Sequence, residues 1–389
     1  MAMRTPALAL SLVNAQGGAV RVCASRIVAL GAAPQAGDLR VDLGGDRVLP
    51  GLINAHDHLQ LNALPQLKYR ERDARATEWI ADIGPRLKTE PMFVANGAVP
   101  REQRLLIGGV KNLLSGVTTV AHHDPFYAPL RDDRFPVRVV DRYGWSHSLA
   151  LDGAEAVRRS FLLTPSAWPW IIHAAEGIDA AARAEFEELD QLGCLGSNTV
   201  LVHGVALGQA QQRRLVEAAA ALVWCPTSNL HLFDCTPDIR FLFERRRLAL
   251  GSDSRVSGQR DLLAELRVAR EVSSLDDAAL ESLVSDRAAE VLRLPDRGAL
   301  RPGALADLVV LPAGLPLSRA SRTDIRLVLV GGVPRYADPD LAEAFGREAD
   351  LVEVRVDGHR KFLARSLVEA LGTARIHEPG LDAPLEKAA

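Results

Sequence analysis

The stretch PGLINAHDH, residues 50–58, places two histidines one residue apart at the end of an apolar run. Residues i and i+2 of a β-strand point to the same side, so His56 and His58 would project together while Asp57 turns away. Imidazole is a good ligand for Zn²⁺ and Fe²⁺. By itself the pair is a weak motif, because two polar residues at the end of an ordinary strand give the same pattern.

Three further strand-like runs end in residues that can bind a metal ion. WIIHAAEG ends its strand at His173 and places Glu176 three residues on. VLVHG ends at His203, and LALGSD ends at Asp253. Any one of these histidines could be an ordinary core or loop residue. Their occurrence at successive strand ends favours one shared metal site.

The elements that must position these residues follow from the pattern between residues 51 and about 300, where short apolar runs alternate with longer segments of helical period. This alternation indicates parallel strands with helical crossovers, and about 250 residues of it is the length of a (β/α)8 barrel. The strand candidates are 51–56, 117–122, 137–142, 169–173, 199–203, 221–225 and 247–253, and the helix candidates include 178–191 and 208–221. These are seven strands, one fewer than a (β/α)8 barrel has. We expect the fourth strand in GWSHSLA, unless the barrel is abridged between residues 142 and 169.

The two ends of the chain resemble each other and differ from the middle. Short β-runs fill residues 6–50, and β-rich segments return after residue 300. We therefore predict an α/β chain with two domains. Residues 1–50 and 304–389 would form a small composite β-sandwich with a helical C-terminal tail, KFLARSLVEALG, and residues 51–303 would form the barrel.

Composition excludes several classes of protein. With 48% hydrophobic and 24% charged residues and a net charge of −3, the chain is of the globular type, and no charge excess attracts it to nucleic acid or to an anionic membrane. No apolar run approaches the ~20 residues of a membrane helix. The start of the chain, MAMRTPALALSLVNA, is interpreted as a first strand rather than a signal peptide. Four scattered cysteines fit a reducing cytoplasm.

Taken together, the motifs VLPGLINAHDH, GVTTV, HAAEG, VLVHG, WCPTSNLHL, LALGSDS and GALADLVVL resemble the amidohydrolase superfamily. The nearest likeness is to its mononuclear branch, with cytosine deaminase and the atrazine-type hydrolases. The resemblance runs from about residue 20 to about residue 310 and implies a distorted (β/α)8 TIM-type barrel. It also implies the metal ligands His56, His58, His173 and Asp253, with Glu176 as proton shuttle and His203 beside the water and substrate.

The distribution of lysine bears on the number of metal ions. Binuclear members of this superfamily bridge two ions with a carboxylated lysine on the fourth strand. No lysine occurs between residues 112 and 360, so this bridge is excluded. We predict one divalent ion, zinc or iron(II).

The implied site predicts hydrolysis by an activated water, most naturally at the C–NH2 carbon of a small heterocyclic or guanidino-type substrate. Asp253 would take the proton of the water, Glu176 would protonate a ring nitrogen and the leaving amine, and His203 would donate to the developing oxyanion. Two alternatives use the same site: opening of a cyclic amide or imidazolone, and displacement of another leaving group such as chloride. A non-catalytic relative ranks last, because every ligand position is filled.

Four residues are candidates for contact with the substrate. They are Gln60, His122, Asn229 and Arg255. Either His122 or His123 could face the pocket, Asn229 could instead cap its own turn, and Arg255 could be an exposed surface residue. The substrate itself is not predicted. The resemblance also implies a homo-oligomer such as a dimer.

Overall fold

The computed structural model describes residues 9–383. The ends of the predicted first domain, residues 1–8 and 384–389, lie outside the described residues. The first described segment contains only strands, and all five β-runs predicted there are confirmed within it. The strands are β1 (Ala9–Val13), β2 (Val20–Cys23), β3 (Arg26–Leu30), β4 (Leu39–Asp42) and β5 (Arg47–Pro50). The first four form a sheet of order β3-β2-β1-β4.

The next segment begins with a fully buried strand and continues with parallel strands and helices. Its elements are β6 (Leu52–Asp57), α1 (Ala76–Arg86), α2 (Pro91–Gly97), α3 (Arg101–Leu114), β7 (Val117–His122), β8 (Arg138–Val139), β9 (Gly144–Trp145), α4 (Leu149–Asp152) and α5 (Ala154–Leu163). Short 3₁₀ helices occupy Leu59–Leu61 and Ala128–Arg131. β6, β7 and β8 form a parallel sheet.

The alternation then becomes regular. The elements are β10 (Trp170–Ala174), α6 (Ala180–Gln191), β11 (Thr199–His203), α7 (Gln209–Glu217), β12 (Ala221–Trp224), α8 (Pro226–Phe233), α9 (Arg240–Glu244), β13 (Leu248–Leu250), α10 (Leu262–Val272), α11 (Asp277–Ser282) and α12 (Asp286–Val291). β9 to β13 form a second parallel sheet in chain order.

The fourth strand lies where the sequence predicted it, in GWSHSLA, and is two residues long as β9. Residues 140–143 join β8 to β9 without a helix, so the abridged unit is the crossover before β9. The backbone N–H of Asp253, just after β13, donates to the carbonyl of His56 in β6 at 3.0 Å. This bond joins the end of the second parallel sheet to the start of the first.

The last segment returns to antiparallel strands. Its elements are β14 (Leu308–Leu311), β15 (Leu327–Val330), β16 (Val333–Ala337), α13 (Pro339–Phe345), β17 (Leu351–Val356), β18 (His359–Ala364), α14 (Arg365–Gly372) and β19 (Leu381–Asp382), with 3₁₀ helices at Leu317–Arg319, Arg322–Asp324 and Gly346–Glu348. The sheet order is β19-β17-β18-β16-β15-β14-β5.

Strands from the two ends of the chain meet in this sheet, because β5 pairs antiparallel with β14. Their side chains also share one core, in which Leu10 and Leu12 lie with Leu308 and Leu329. These contacts are what the predicted composite domain requires. The division of the chain at residues 50 and 304 stays a prediction.

Two helices are shorter in the structure than the sequence predicted. The tail KFLARSLVEALG begins as strand, because Asp357 and Gly358, both with positive φ, form a tight hairpin turn that pairs β18 with β17. The helix predicted over 208–221 ends at Glu217, since Ala219 has φ +57° and Ala221 already belongs to β12. The helix predicted over 178–191 is confirmed as α6.

No helix among residues 9–383 is long and apolar enough to cross a membrane.

The contact between α3 and the chain after β6 depends on a glycine. A Cβ added at Gly108 would lie 2.3 Å from the carbonyl oxygen of Leu59, which is backbone and cannot rotate away. Helix α3 therefore approaches this loop as closely as it does only because residue 108 has no side chain.

We predict that Gly108→Ala lowers the free energy of unfolding by roughly 1–3 kcal/mol through overpacking. The matched control is Gly97→Ala at the end of α2, where an added Cβ meets nothing within 4 Å. That change should raise the free energy by about 0.4–1 kcal/mol. Urea unfolding of both variants measures the difference, and equal effects at the two positions would contradict the close-approach argument.

Candidate metal centre

Five residues predicted from strand ends converge at the carboxyl ends of the parallel strands. His56 lies in β6 and His58 follows it, while His173 and His203 lie in β10 and β11. Asp253 follows β13. His58 Nε2 lies 3.3 Å from His173 Nε2, and His56 Nε2 lies 3.6 Å from Asp253 Oδ1. The structure thus brings together the four residues predicted as metal ligands.

The spacing and the unpartnered atoms of this cluster fit a bound cation. Two nitrogens that each bind a tetrahedral zinc ion at about 2.1 Å lie about 3.4 Å apart, close to the 3.3 Å between His58 and His173. Both ring nitrogens of His56 are buried and have no hydrogen-bond partner among the described residues. Leaving buried polar atoms unpaired is costly, and a metal ion would use such a lone pair.

Contacts at the far side of each ring point the ligand nitrogens into the cluster. His58 Nδ1 lies 2.9 Å from Asp124 Oδ2, and His173 Nδ1 lies 2.8 Å from the carbonyl of His147. Donation from Nδ1 to these acceptors leaves Nε2 of both rings free to bind a metal ion, which is the usual arrangement around protein metal sites.

The electrostatics of the cluster favour positive charge. Burial opposes protonation of His58, but its hydrogen bond to Asp124 and the charges of Asp124 and Asp253 raise its pKa to about 9. Burial lowers the pKa of His173 well below its usual value, so this ring is neutral and can act as a ligand. A cation bound here would take over the stabilisation that the proton on His58 supplies.

Asp253 is held as a carboxylate. Its Oδ2 accepts from Ser228 Oγ at 2.9 Å and Ser257 Oγ at 2.8 Å, and its Oδ1 accepts from the N–H of Ser254 at 2.6 Å. Burial opposes ionisation, but the ring of His56, with Nε2 3.6 Å from Oδ1, and the charges of the neighbouring histidines place the pKa of Asp253 well below its usual value.

The backbone at the site is strained. Asp253 has φ +53° and His203 has φ +72°, a region that residues with a Cβ rarely adopt. Such conformations persist where surrounding structure enforces them, and they concentrate at functional sites.

Glu176 and His203 form a second pair beside the cluster. Glu176 Oε1 lies 3.4 Å from His203 Nε2, and His203 Nδ1 lies 3.0 Å from Asn229 Oδ1. Burial is the main cause that raises the pKa of Glu176 well above its usual range, and the negative charges of Asp253 and Glu185 add to it. Burial lowers the pKa of His203 to about 4. The shift favours the protonated form of Glu176, and His203 is an uncharged ring at neutral pH.

The tautomer of His203 differs from the one its predicted role requires. Because Asn229 Oδ1 can only accept, Nδ1 of His203 carries the proton and Nε2 is an acceptor. A donor to an oxyanion needs a proton on Nε2. The acidic proton of Glu176, 3.4 Å away, is the nearest source.

Comparison with known proteins adds an independent observation. A sequence model of the amidohydrolase family matches residues 169–342. The 5-methylthioadenosine/S-adenosylhomocysteine deaminase of Halobacterium salinarum is 26% identical over 342 residues, covering 75% of this chain and 79% of that protein. The resemblance to the amidohydrolase superfamily is confirmed. The family and the relatives' names also confirm the prediction of a deaminase-type hydrolase of carbon–nitrogen bonds other than peptide bonds, with a small-molecule substrate.

Solved amidohydrolase structures share the fold. A zinc-bound adenosine deaminase from Xanthomonas campestris superposes with a TM-score of 0.70 at 20% identity, covering 85% of this chain and 92% of that chain. A zinc complex of atrazine chlorohydrolase from Arthrobacter aurescens gives 0.69 at 18% identity, covering 83% and 91%. The chain therefore has an α/β fold that matches proteins of the TIM-barrel type.

The candidate substrate residues of the chain have different surroundings. Asn229 contacts His203, as described. Gln60 donates to Asp124 Oδ2 at 2.6 Å, so it supports the ligand His58 through Asp124. His122 Nδ1 accepts a hydrogen bond from the backbone N–H of Leu59 at 3.3 Å. Contact of these residues with substrate stays a prediction.

The alternative offered for Arg255, exposure on the surface, is wrong. Its side chain is buried, and Nη1 lies 2.8 Å from Glu378 Oε2 and 3.1 Å from the carbonyl of Asn62. An arginine held by a carboxylate from the C-terminal segment is engaged within the protein, so the geometry gives its predicted attraction for an anionic substrate no support.

The sequence did not decide between His122 and His123, and it missed Asp124 and Lys111. His123 stacks on His173 with ring centroids 4.2 Å apart and offers a nitrogen within 4.8 Å of the ligand atoms of three predicted ligands. The motif AHHDP already contained His123 and Asp124, but not which of its side chains faces inward. Lys111 is one of five lysines in the sequence, and no local pattern distinguishes it.

Glu265 of α10 is a buried carboxyl beside the site. Its Oε1 accepts from the N–H of Thr227 at 2.8 Å, while its Oε2 is buried without a hydrogen-bond partner among the described residues. Burial raises the pKa of Glu265 from 4.5 to about 8. The folded protein therefore keeps a proton that the unfolded chain loses above pH 4.5.

We predict that Glu265 reduces stability as the pH rises from about 4.5 to about 8. Glu265→Gln removes this titration, so the variant should gain roughly 2–4 kcal/mol over the wild type between pH 5 and pH 8. Denaturant unfolding across this range measures the gain, with Glu244→Gln at an exposed position as control. A gain that does not change with pH would count against a protonated Glu265.

Proposed function

We propose that the chain is a metal-dependent aminohydrolase that releases ammonia from the C–NH2 carbon of a small heterocycle, with adenine nucleosides as the first substrate class to test. The observation that carries the proposal is the position of the Glu176 carboxyl, with Oε1 3.4 Å from His203 Nε2 and beside a cluster of imidazoles and a carboxylate. Burial raises the pKa of this carboxyl, which suits it to donate a proton. The names of the relatives support the substrate class, since one is a 5-methylthioadenosine/S-adenosylhomocysteine deaminase and another a 5'-deoxyadenosine deaminase.

One divalent ion, zinc or iron(II), would be held by His56, His58, His173 and Asp253. When bound, such an ion lowers the pKa of water from 15.7 to about 7 and so supplies a nucleophile at neutral pH. The buried, unpartnered nitrogens of His56 and the neutral ring of His173 support this assignment. Zinc in the adenosine deaminase of similar fold favours zinc.

The residues then divide the proton transfers. Glu176 gives its proton to a ring nitrogen next to the carbon under attack, which makes that carbon more electrophilic. The Asp253 carboxylate accepts the proton of the attacking water and passes it to the departing amine. As the C–N bond breaks, the hydroxyl proton of the intermediate returns to the Glu176 carboxylate, and a C=O group and ammonia are formed. Asn229 fixes the ring of His203, which in turn holds the acidic proton of Glu176 on the pocket side.

The remaining finer assignments are part of the same proposal. The two parallel sheets would be the arcs of a distorted (β/α)8 barrel, residues 51–303, and the two chain ends would form the composite β-sandwich. The shared core of the two ends supports this division. We retain a homo-oligomer and a cytoplasmic location as proposals.

The proposal is tested first by ammonia release from metal-replete protein with adenosine, 5'-methylthioadenosine, cytosine, triazines and guanidino compounds. Glu176→Gln cannot supply the proton and should lower kcat by about 10²–10⁴-fold while metal content is unchanged. Glu187→Gln, an exposed carboxyl of α6 that accepts from Gln211 Nε2 at 2.7 Å, is the control and should keep its activity. Chloride release or ring opening without ammonia would instead support the alternative reactions.

Metal content provides a separate prediction. His173→Ala removes one ligand and should leave less than about one-tenth of the metal bound after dialysis against a weak chelator, since even outer-shell changes weaken binding 10–100-fold. His377→Ala, at an exposed position, is the control. The measurement is the metal-to-protein ratio, and full occupancy in His173→Ala would remove His173 from the ligand set.

A further inference from the structure

Lys111 lies directly beneath the metal centre and is fully buried. Its Nζ donates to Asn62 Oδ1 at 2.8 Å, to the carbonyl of Asp253 at 3.0 Å, and to Asp57 Oδ2 and Ser252 Oγ, both at 3.2 Å. An ammonium group has three N–H donors, and four acceptors surround this one. The hydrogen-bonding capacity of the buried ammonium is therefore satisfied within the protein.

Three of these acceptors belong to a predicted metal ligand or to a residue next to one in the chain. Asp57 separates His56 from His58, Ser252 precedes Asp253, and the third acceptor is the carbonyl of Asp253 itself. One ammonium thus contacts both β6, which carries the His-x-His pair, and the segment after β13, which carries the aspartate.

Amide side chains extend the same connection. Asn54 Nδ2 donates to Ser252 Oγ at 2.8 Å and to Asn112 Oδ1 at 2.9 Å, and Asn54 Oδ1 accepts from the N–H of Ser252 at 3.0 Å. Asn112 Nδ2 donates to Asp57 Oδ2 at 2.8 Å. Together with Lys111 and Asn62, these side chains form a buried polar layer under the ligands.

The charges in this layer balance. Asp57 and Lys111 are both fully buried and lie 3.2 Å apart, so the pair adds no net charge next to a cation bound above it. A buried ion pair is weak evidence for stability, because apolar residues of similar volume often stabilise as well. What apolar residues would not supply is a directional link between the two strands.

We propose that Lys111 is a positioning residue of the metal centre. Its ammonium fixes the His-x-His strand relative to the Asp253 segment, and so holds His56 Nε2 and Asp253 Oδ1 at the spacing that one divalent ion requires. The inference rests on the proposed function, in that the cluster must bind a metal ion. It assigns to Lys111 an effect on metal affinity and ligand geometry, without contact with metal or substrate.

The test compares Zn²⁺ affinity, measured by competition with a chromophoric chelator, in four full-length proteins. Lys111→Met removes the donors at similar volume but leaves Asp57 unpaired. The double variant Lys111→Met/Asp57→Asn removes that unpaired charge and provides a folded protein if the single variant is unstable. Lys361→Met is the matched control, because Lys361 is a second buried lysine, bonded to the carbonyls of Thr323 at 2.7 Å and Ile325 at 2.8 Å, away from the site. Wild-type protein is the reference.

We expect Lys111→Met to raise the Kd for Zn²⁺ about 10–100-fold, the range seen when contacts behind a ligand are removed. The double variant should recover thermal stability but not affinity. Lys361→Met should lose stability and keep the wild-type Kd. The visible absorption spectrum of bound Co²⁺ should change in both Lys111 variants and not in Lys361→Met, because it reports ligand geometry.

Two results would overturn the inference. One is a double variant that binds Zn²⁺ with the wild-type Kd and gives the wild-type Co²⁺ spectrum. The other is a Lys361→Met protein whose Zn²⁺ affinity falls as far as that of the Lys111 variants, since the loss would then follow stability alone. Wild-type protein that binds no Zn²⁺ would overturn the proposed function and this inference together.

Discussion

The backbone hydrogen bond from Asp253 to His56 is the interaction on which the rest of the site depends. Parallel strands place their carboxyl ends at one edge, but the first and last strands of a series face each other only if the series curves back on itself. This bond marks where it does so. The carboxylate of Asp253 thereby reaches histidines that lie about 200 residues earlier in the chain.

Burial and local partners shift the pKa of each group at this edge in a definite direction. The same low-polarity surroundings raise the pKa of Glu176 and lower that of His203, whereas hydrogen bonds from two serines and the nearby histidines lower the pKa of Asp253. The pKa values of the Glu176 and Asp253 carboxyl groups are thus shifted in opposite directions because their partners differ. This division suits hydrolysis, which needs one group to supply a proton and another to remove one.

The strand-end residues were predictable because they obey local rules. A two-residue period and an apolar run place His56, His173 and His203 without reference to the rest of the chain. The strand β9 has too few residues to show an apolar pattern. Its position was inferred only because the sequence offered seven strand candidates for a barrel of eight strands. Lys111 was beyond prediction for a different reason. Its contacts come from segments up to 142 residues away, and within α3 its spacing is that of any helical residue.

The contact between Arg255 and Glu378 has a consequence for how the site is completed during synthesis. The two residues are 123 positions apart, and Arg255 lies two residues after Asp253. At about 5–20 residues per second, the ribosome adds Glu378 many seconds after it has added Asp253, the last of the proposed metal ligands in the chain. During that interval the Arg255 guanidinium lacks the carboxylate with which it pairs in the folded protein. The packing beside Asp253 is therefore complete only once the C-terminal segment has been made.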